Sequence, residues 1–123
     1  MIQFRPNAPI INRETGEPLT EPKPGGTKVV THGLLVVRAL DAKLDSEKID
    51  PKDGYARFLL GNRIIACTGD STVDLTIEEA ALIRSVVAIA YPSGVFGQIW
   101  LALDNATRLD IRDNRVVPAG SGR

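Results

Sequence analysis

The stretch from Thr76 to Asn105 constrains the fold of this 123-residue chain more than any other. Thr76 and Glu79 have the spacing of a capping box, in which each side chain accepts a hydrogen bond from the backbone amide of the other residue. The apolar run that follows predicts a helix, which must end before Pro92 because proline disfavours the α conformation of the preceding residue. Ser93 is expected to cap a second helix. The stretch therefore predicts a helical hairpin at the centre of the core.

The second helix of this hairpin carries one clear apolar stripe. Its members repeat at i, i+3, i+4 and i+7, which is typical of a core-facing helix: Phe96, Ile99, Trp100 and Leu103. We expect this stripe to be buried against three residues of the first helix: Leu82, Val86 and Ile89. Gly94 and Gly97, beside the stripe, predict a close approach by another backbone. Leu101 lies off the stripe and is expected to be exposed.

Two further helices are predicted earlier in the chain. One begins after Thr31 as N-cap and continues to about Ala42, although its β-branched residues leave a strand over part of this stretch as an alternative. The other begins at Asp50, with proline at the first helical position, and runs to about Cys67. Gly61, in its middle, suggests a close helix approach. Its inward face is predicted to comprise Ala56, Leu59, Leu60, Ile64 and Cys67.

The chain before these helices is expected to form a small β-element. Ile2 and Phe4 alternate with polar neighbours, and Leu19 is placed to pair back across a turn at Gly16. Repeated prolines restrict this element to an edge hairpin or an extended arm. The segment 21–26, Glu-Pro-Lys-Pro-Gly-Gly, is interpreted as a connector.

These elements together define a fold class and an organisation. The predicted fold is mainly α (α+β), with three to four helices and a small N-terminal β-hairpin or extended arm. Residues 1–26 are assigned to the N-terminal arm and connector, residues 27–106 to a helical core domain, and residues 107–123 to a C-terminal tail.

Composition argues against several classes of function. Lys plus Arg and Asp plus Glu number 15 each, so no overall field attracts nucleic acid or anionic lipid. The longest nearly apolar run, residues 85–91, is too short to span a bilayer, and the N-terminus lacks the pattern of a signal peptide. The single cysteine is consistent with a reducing compartment. We expect a protein of the host cytoplasm, with no membrane or nucleic-acid partner.

Few residues have catalytic potential. His32 lies at a predicted helix start and Cys67 on an apolar helix face, so both are interpreted as structural. A small enzyme or ligand-binding domain built around Cys67, His32 and Tyr91 is the contrasting hypothesis. One histidine and one cysteine cannot form a zinc site, and the nearby aspartates lack calcium-loop spacing. We therefore expect no catalytic residue, metal or cofactor.

The hairpin from residue 76 to 105 superficially resembles a helix-turn-helix. A DNA-reading second helix presents polar and basic side chains to base edges, whereas this one offers mainly Gln98 and Asn105 among apolar residues. DNA binding is therefore a remote alternative. A role in binding a protein partner, or in self-association, is the remaining class. The candidate contact residues are Leu101 and Gln98 on the last helix and Arg108 and Ile111 beyond it.

Three motifs also suggest an origin. They are Tyr55 with Leu59 in the second helix, the run Val73–Ile83 (VDLTIEEAALI), and the break Tyr91–Gln98 (YPSGVFGQ). In this order they resemble motifs of small proteins encoded by tailed bacteriophages and prophages, and the resemblance covers about residues 31–104. It implies a phage origin and assigns no catalytic residue.

The resemblance and the composition lead to one functional expectation. We expect a non-catalytic phage or prophage protein that binds other proteins, as a virion accessory or a component of head or tail assembly. The alternative is an inhibitor or modulator of a host protein. The first version places the protein in the virion as well as in the host cytoplasm.

Overall fold

The computed structural model describes residues 2–42 and 50–112, with side chains as far as residue 104. Within these residues the chain forms four helices and four short strands, which confirms the mainly α, α+β class. In chain order they are β1 (Ile2–Phe4), β2 (Thr20–Lys23), β3 (Gly26–Val29), α1 (His32–Asp41), α2 (Pro51–Ile65), β4 (Val73–Leu75), α3 (Ile77–Ala90) and α4 (Ser93–Arg112).

Three of the four predicted helix starts are confirmed by their hydrogen bonds, whereas Ser93 is the first residue of α4 and not its N-cap. The side chains of Thr31 and Asp50 each accept a hydrogen bond from a backbone amide in the first turn of the helix that follows. Thr76 and Glu79 form both bonds of the capping box, at 3.0 and 2.9 Å. These side chains satisfy amides that lack a partner within the helix. The break at Pro92 is also confirmed, because α3 ends at Ala90 and α4 begins at Ser93.

The N-terminal strand is confirmed, but its partner lies about 70 residues away along the chain. β1 pairs antiparallel with β4, with Ile2 opposite Leu75 and Phe4 opposite Val73. In both strands the first and third side chains are buried and the second is exposed. The two-residue period of a strand thus places four apolar side chains on one face, toward the helices.

The interpretation of residues 21–26 as a connector is wrong. Most of this segment belongs to the hairpin of β2 and β3, in which Pro22 lies opposite Thr27. Proline lacks an amide hydrogen, and a two-stranded ribbon accommodates it because one edge of each strand needs no partner. The turn is Pro24-Gly25, and Gly25 has a φ of 84°, as the third residue of a type II turn requires.

An ion pair joins this hairpin to α1. The Arg38 guanidinium donates to both carboxylate oxygens of Glu21, at 2.6 and 2.9 Å, and Lys28 lies 3.3 Å from the same carboxylate. The Arg38 hydrogen bonds are the main reason that the pKa of Glu21 falls from 4.5 to about 2.

The core is built from all four helices together with β1, β4 and the segment around Ile10. Phe4 and Ile10 are fully buried, so the N-terminal residues are part of the core. Ile10 and Leu19 are hydrogen-bonded through their backbones, which confirms the predicted pairing across the Gly16 turn. The largest fully buried side chains are Phe4, Ile10, Leu75, Ile83, Ile99 and Leu103.

The predicted interface between α3 and α4 is only partly correct. Ile99 and Leu103 are completely buried, but Trp100 is 38% exposed and Ile89 is 61% exposed. At about 100° per residue, Ile89 lies opposite the buried line of α3 that contains Ala80. Trp100 lies at the rim, where its indole N–H donates to the carbonyl of Arg84 at 3.1 Å.

The glycines of α4 do not have the predicted close neighbour. A methyl group added at Gly97 would meet no atom within 4 Å, and one added at Gly94 would meet only the Arg13 side chain, at 3.6 Å. The closest approach to a helical glycine occurs instead at Gly33 of α1, which lies against Pro6.

Candidate functional site

The three residues considered for catalysis are each buried or half-buried. His32 is buried, with its ring edge-on to Phe4. Burial lowers the pKa of His32, and a hydrogen bond to the Pro9 backbone acts in the opposite direction. Burial also raises the pKa of Tyr91, whose hydroxyl donates to the Leu35 carbonyl at 2.6 Å. Cys67 is a free thiol that packs partly against the core.

The described residues hold no group of three or more metal-ligating side chains of the His, Cys, Asp or Glu type. No helix within residues 2–42 and 50–112 combines the length and apolar character needed to cross a bilayer.

The predicted contact residues on α4 have different environments. The Gln98 amide accepts from the Ile11 N–H at 2.9 Å and donates to the Ile11 and Gly94 carbonyls, so it holds the N-terminal segment against α4. Leu101 is 43% exposed, as expected, and borders a shallow cleft beside Arg13. Arg108 and Ile111 were assigned to the C-terminal tail, but α4 runs to Arg112 and includes both residues, so the tail does not begin at residue 107. Their side chains lie outside those that the structure describes.

A larger exposed apolar surface lies on α2, whose predicted inward face is only partly correct: Leu60 and Ile64 are buried, as expected. The predicted inward residues included Ala56 and Leu59, but both are exposed. The residues that α2 buries are Arg57, Leu60, Gly61 and Ile64. This buried side packs chiefly against α1.

Four large apolar side chains are consequently left on the outer side of α2. We call them, together with Asn62, the α2 stripe: Tyr55, Phe58, Leu59, Asn62 and Ile65. At about 100° per residue, the middle of this stripe lies opposite Leu60 and Ile64. The helix thus has two apolar faces, one buried in the core and one turned to solvent.

The two aromatic residues of the stripe pack against each other. The rings of Tyr55 and Phe58 are stacked, with centroids 6.4 Å apart and planes inclined by 19°. Offset stacking of this kind is a favourable aromatic arrangement. Tyr55 is nevertheless 63% exposed and Phe58 55% exposed, so the contact covers little of either ring. The pair forms a raised aromatic edge near the start of α2.

The α2 stripe contains no ionisable acid or base apart from the Tyr55 phenol. Lys52 and Arg63 lie along one edge, and Arg63 is engaged by Glu79 and by the Asp74 carbonyl. Burial alone would raise the pKa of Glu79, but the Thr76 amide and Arg63 bring it below the ordinary value. Charged residues are depleted at the centre of protein–protein interfaces. The α2 stripe has the same composition, because its charged neighbours lie at the edge.

A cleft of about 220 Å³ opens beside the far end of the stripe. It lies where the end of α2 meets the start of α1, and Ile65 belongs to both the cleft and the stripe. Its other apolar walls are Pro6, Leu34, Val37 and Ile64. The surface of α2 therefore has an aromatic projection at one end and an apolar depression at the other.

Periodicity in the sequence does contain a signal for the α2 stripe. Its members recur at i, i+3, i+4, i+7 and i+10, which is the period of a helix face. A second stripe on the same helix has the same period, and composition does not distinguish a buried face from an exposed one.

Comparison with known proteins adds no relative: no family model, no curated protein and no solved structure matches this chain.

Proposed function

We propose that this chain is a non-catalytic phage or prophage protein that acts by binding another protein, as a virion accessory or a component of head or tail assembly. The α2 stripe is the contact surface. The observation that carries the proposal is the line of four large exposed apolar side chains on the side of α2 opposite its core face. The phage origin rests on the motif resemblance in the sequence.

The size of the α2 stripe supports a binding role. With roughly 200 Å² for a whole aromatic side chain and somewhat less for an aliphatic one, the four side chains leave roughly 400 Å² exposed. Apolar patches of this size on soluble proteins are often functional. Covering it contributes about 10 kcal/mol at 25 cal/mol per Å². Association costs about 4–15 kcal/mol because the partners lose translational and rotational freedom. The partner must therefore also contact residues around the stripe.

The positions of the polar residues support binding over catalysis. Tyr91 and His32 make hydrogen bonds to backbone groups, and the cleft beside Ile65 is lined by neither of them. Gln98, one of the two polar residues that a DNA-reading α4 would use, is bound to Ile11.

Two leucines provide a matched test of the contact surface. Leu59 on α2 and Leu101 on α4 are both helical and both 43% exposed, so an aspartate disturbs folding to a similar extent at either position. Tagged wild-type, Leu59→Asp and Leu101→Asp chains are purified from phage-producing cells, and co-purifying proteins are identified by mass spectrometry. We expect Leu59→Asp to lose the partner and Leu101→Asp to retain it.

The outcome also separates the versions of this function. Recovery with virion proteins, or inside purified particles, supports the assembly role, whereas recovery with a single host protein supports the modulator. Loss of the partner in Leu101→Asp alone would transfer the contact to α4. Retention of all partners by both variants, with wild-type circular dichroism, would refute the α2 stripe as a contact surface.

A further inference from the structure

We propose that the α2 stripe binds the α2 stripe of a second copy of this chain, with the two helices antiparallel. The inference rests on the proposed function, because it assigns a partner to the same surface. It follows from three properties of the stripe: its two ends are complementary in shape, its charges lie off the contact line, and its area suits a small dimer interface.

Shape complementarity comes from the spacing of the aromatic projection and the cleft. Tyr55 and Ile65 are ten residues apart, which corresponds to about 15 Å along the helix axis. If two antiparallel helices cross near Leu60, each Tyr55 ring lies level with the partner's Ile65 and its adjoining cleft. A two-fold interface requires this reciprocity, since each surface must contain both halves of the contact.

The cleft has the properties of an anchor site for an aromatic ring. Its volume is about 220 Å³, and its walls include Leu34, Val37 and Ile65. Aromatic side chains inserted into apolar pockets are frequent hot spots of protein interfaces. Tyr55 is the most exposed aromatic residue among those whose side chains the structure describes, and it projects from the same helix that borders the cleft.

Charge favours the antiparallel orientation. In a parallel pair the two Lys52 side chains would lie side by side, whereas in an antiparallel pair crossing near Leu60 they are about 24 Å apart along the axis. That separation exceeds the Debye length of about 8 Å at physiological ionic strength, so the repulsion is screened. Antiparallel helices also align their dipoles favourably. The chain has no net charge, so two copies do not repel each other as a whole.

The area is adequate for a modest dimer. Two copies of the stripe bury roughly 800 Å² of side-chain surface, with roughly 400 Å² from each copy. Flanking residues such as Pro51 and Ala66 are exposed on the same side of α2 and raise this toward the roughly 1,200 Å² of a small specific interface. An interface of this size predicts a dimer that dissociates on dilution.

The oligomeric state of the full chain tests the proposal directly. Sedimentation velocity from low micromolar to several hundred micromolar should show a concentration-dependent dimer for wild type and for Leu101→Asp. Leu59→Asp should raise the dissociation constant at least about 100-fold, because each dimer would bury two unpaired carboxylates. Thermal unfolding followed by circular dichroism shows whether each variant remains folded.

Disulfide cross-linking tests the orientation. In a Cys67→Ser background, one chain carries Tyr55→Cys and another carries Ile65→Cys, and the mixed chains are oxidised mildly. The antiparallel pair predicts disulfides between the two different chains, whereas a parallel pair predicts disulfides within each type. Predominant cross-linking of each chain to its own kind would overturn the antiparallel arrangement.

Failure of this inference is distinguishable from failure of the proposed function. A wild-type chain that stays monomeric at several hundred micromolar, or a dimer unaffected by Leu59→Asp, refutes self-association through α2. If the monomeric chain still captures another protein that Leu59→Asp loses, the proposed function stands with a different partner. If Leu59→Asp changes neither property, both proposals fall.

Discussion

A methyl group added to Gly33 is predicted to destabilise the fold because of the way α1 meets the N-terminal segment. The new Cβ of Gly33→Ala would lie 2.5 Å from the Pro6 Cβ and 2.9 Å from the Pro6 carbonyl oxygen. The Gly33 amide donates to that same oxygen at 2.7 Å, so the two segments must separate and weaken this bond. Overpacking costs about 1–3 kcal/mol, whereas alanine gains at most about 1 kcal/mol over glycine in a helix. We expect a net loss of up to about 2 kcal/mol.

Two other helical glycines serve as controls with the opposite sign. A Cβ at Gly61 would meet only the Val37 Cγ1 at 3.9 Å, and a Cβ at Gly97 would meet no atom within 4 Å. Gly61→Ala and Gly97→Ala should therefore raise the free energy of unfolding by about 0.5–1 kcal/mol through helix propensity.

Urea and thermal unfolding followed by circular dichroism measure all three changes. For a chain of this size about 1 kcal/mol corresponds to a shift in Tm of about 3–6 °C. Gly33→Ala should fall below wild type, and the two controls should rise above it. A Gly33→Ala chain as stable as Gly61→Ala would refute the close approach to Pro6. A loss of stability in Gly97→Ala would show that this part of α4 is covered.

Three further predictions concern single hydrogen-bonded groups. Thr76→Ala should lower the free energy of unfolding by about 1 kcal/mol in urea titrations, and Thr76→Ser should restore most of it, since the serine hydroxyl also caps. The depressed pKa of Glu21 stabilises the fold above pH 4.5, and this contribution is lost as pH falls toward about 2. Glu21→Gln should remove that part of the acid dependence, and an unchanged acid profile would contradict the pairing with Arg38. Gln98→Ala removes both bonds to Ile11 and should cost about 1–3 kcal/mol in the same titrations. Gln98→Glu should not restore this loss, because its carboxylate cannot donate and would face the Ile11 and Gly94 carbonyl oxygens.

The features that sequence reasoning identified correctly depend on near neighbours. The capping residues Thr31, Asp50 and Thr76 act on amides two or three residues away, so their pattern is visible in any short window. The break at Pro92 is local for the same reason, because the ring restricts the residue beside it.

The features that it missed depend on distant partners. Residues 21–26 contain two prolines and two glycines, a composition that indicates a connector. Only the antiparallel pairing of Thr20–Lys23 with Gly26–Val29 shows that most of this segment belongs to a hairpin. The pairing of β1 with β4 joins segments about 70 residues apart, and no local pattern specifies that Leu75 will lie opposite Ile2.

The first three helix starts, the break at Pro92 and the mainly α class were determined by the sequence itself, since caps, proline and hydrophobic period act within a few residues. Only the tertiary structure decided which face of α2 is buried. Its two stripes have the same 3.6-residue period, and α1 packs against the one containing Leu60 and Ile64. The other, from Tyr55 to Ile65, is left in solvent because the helices and strands that the structure describes bury only one side of α2.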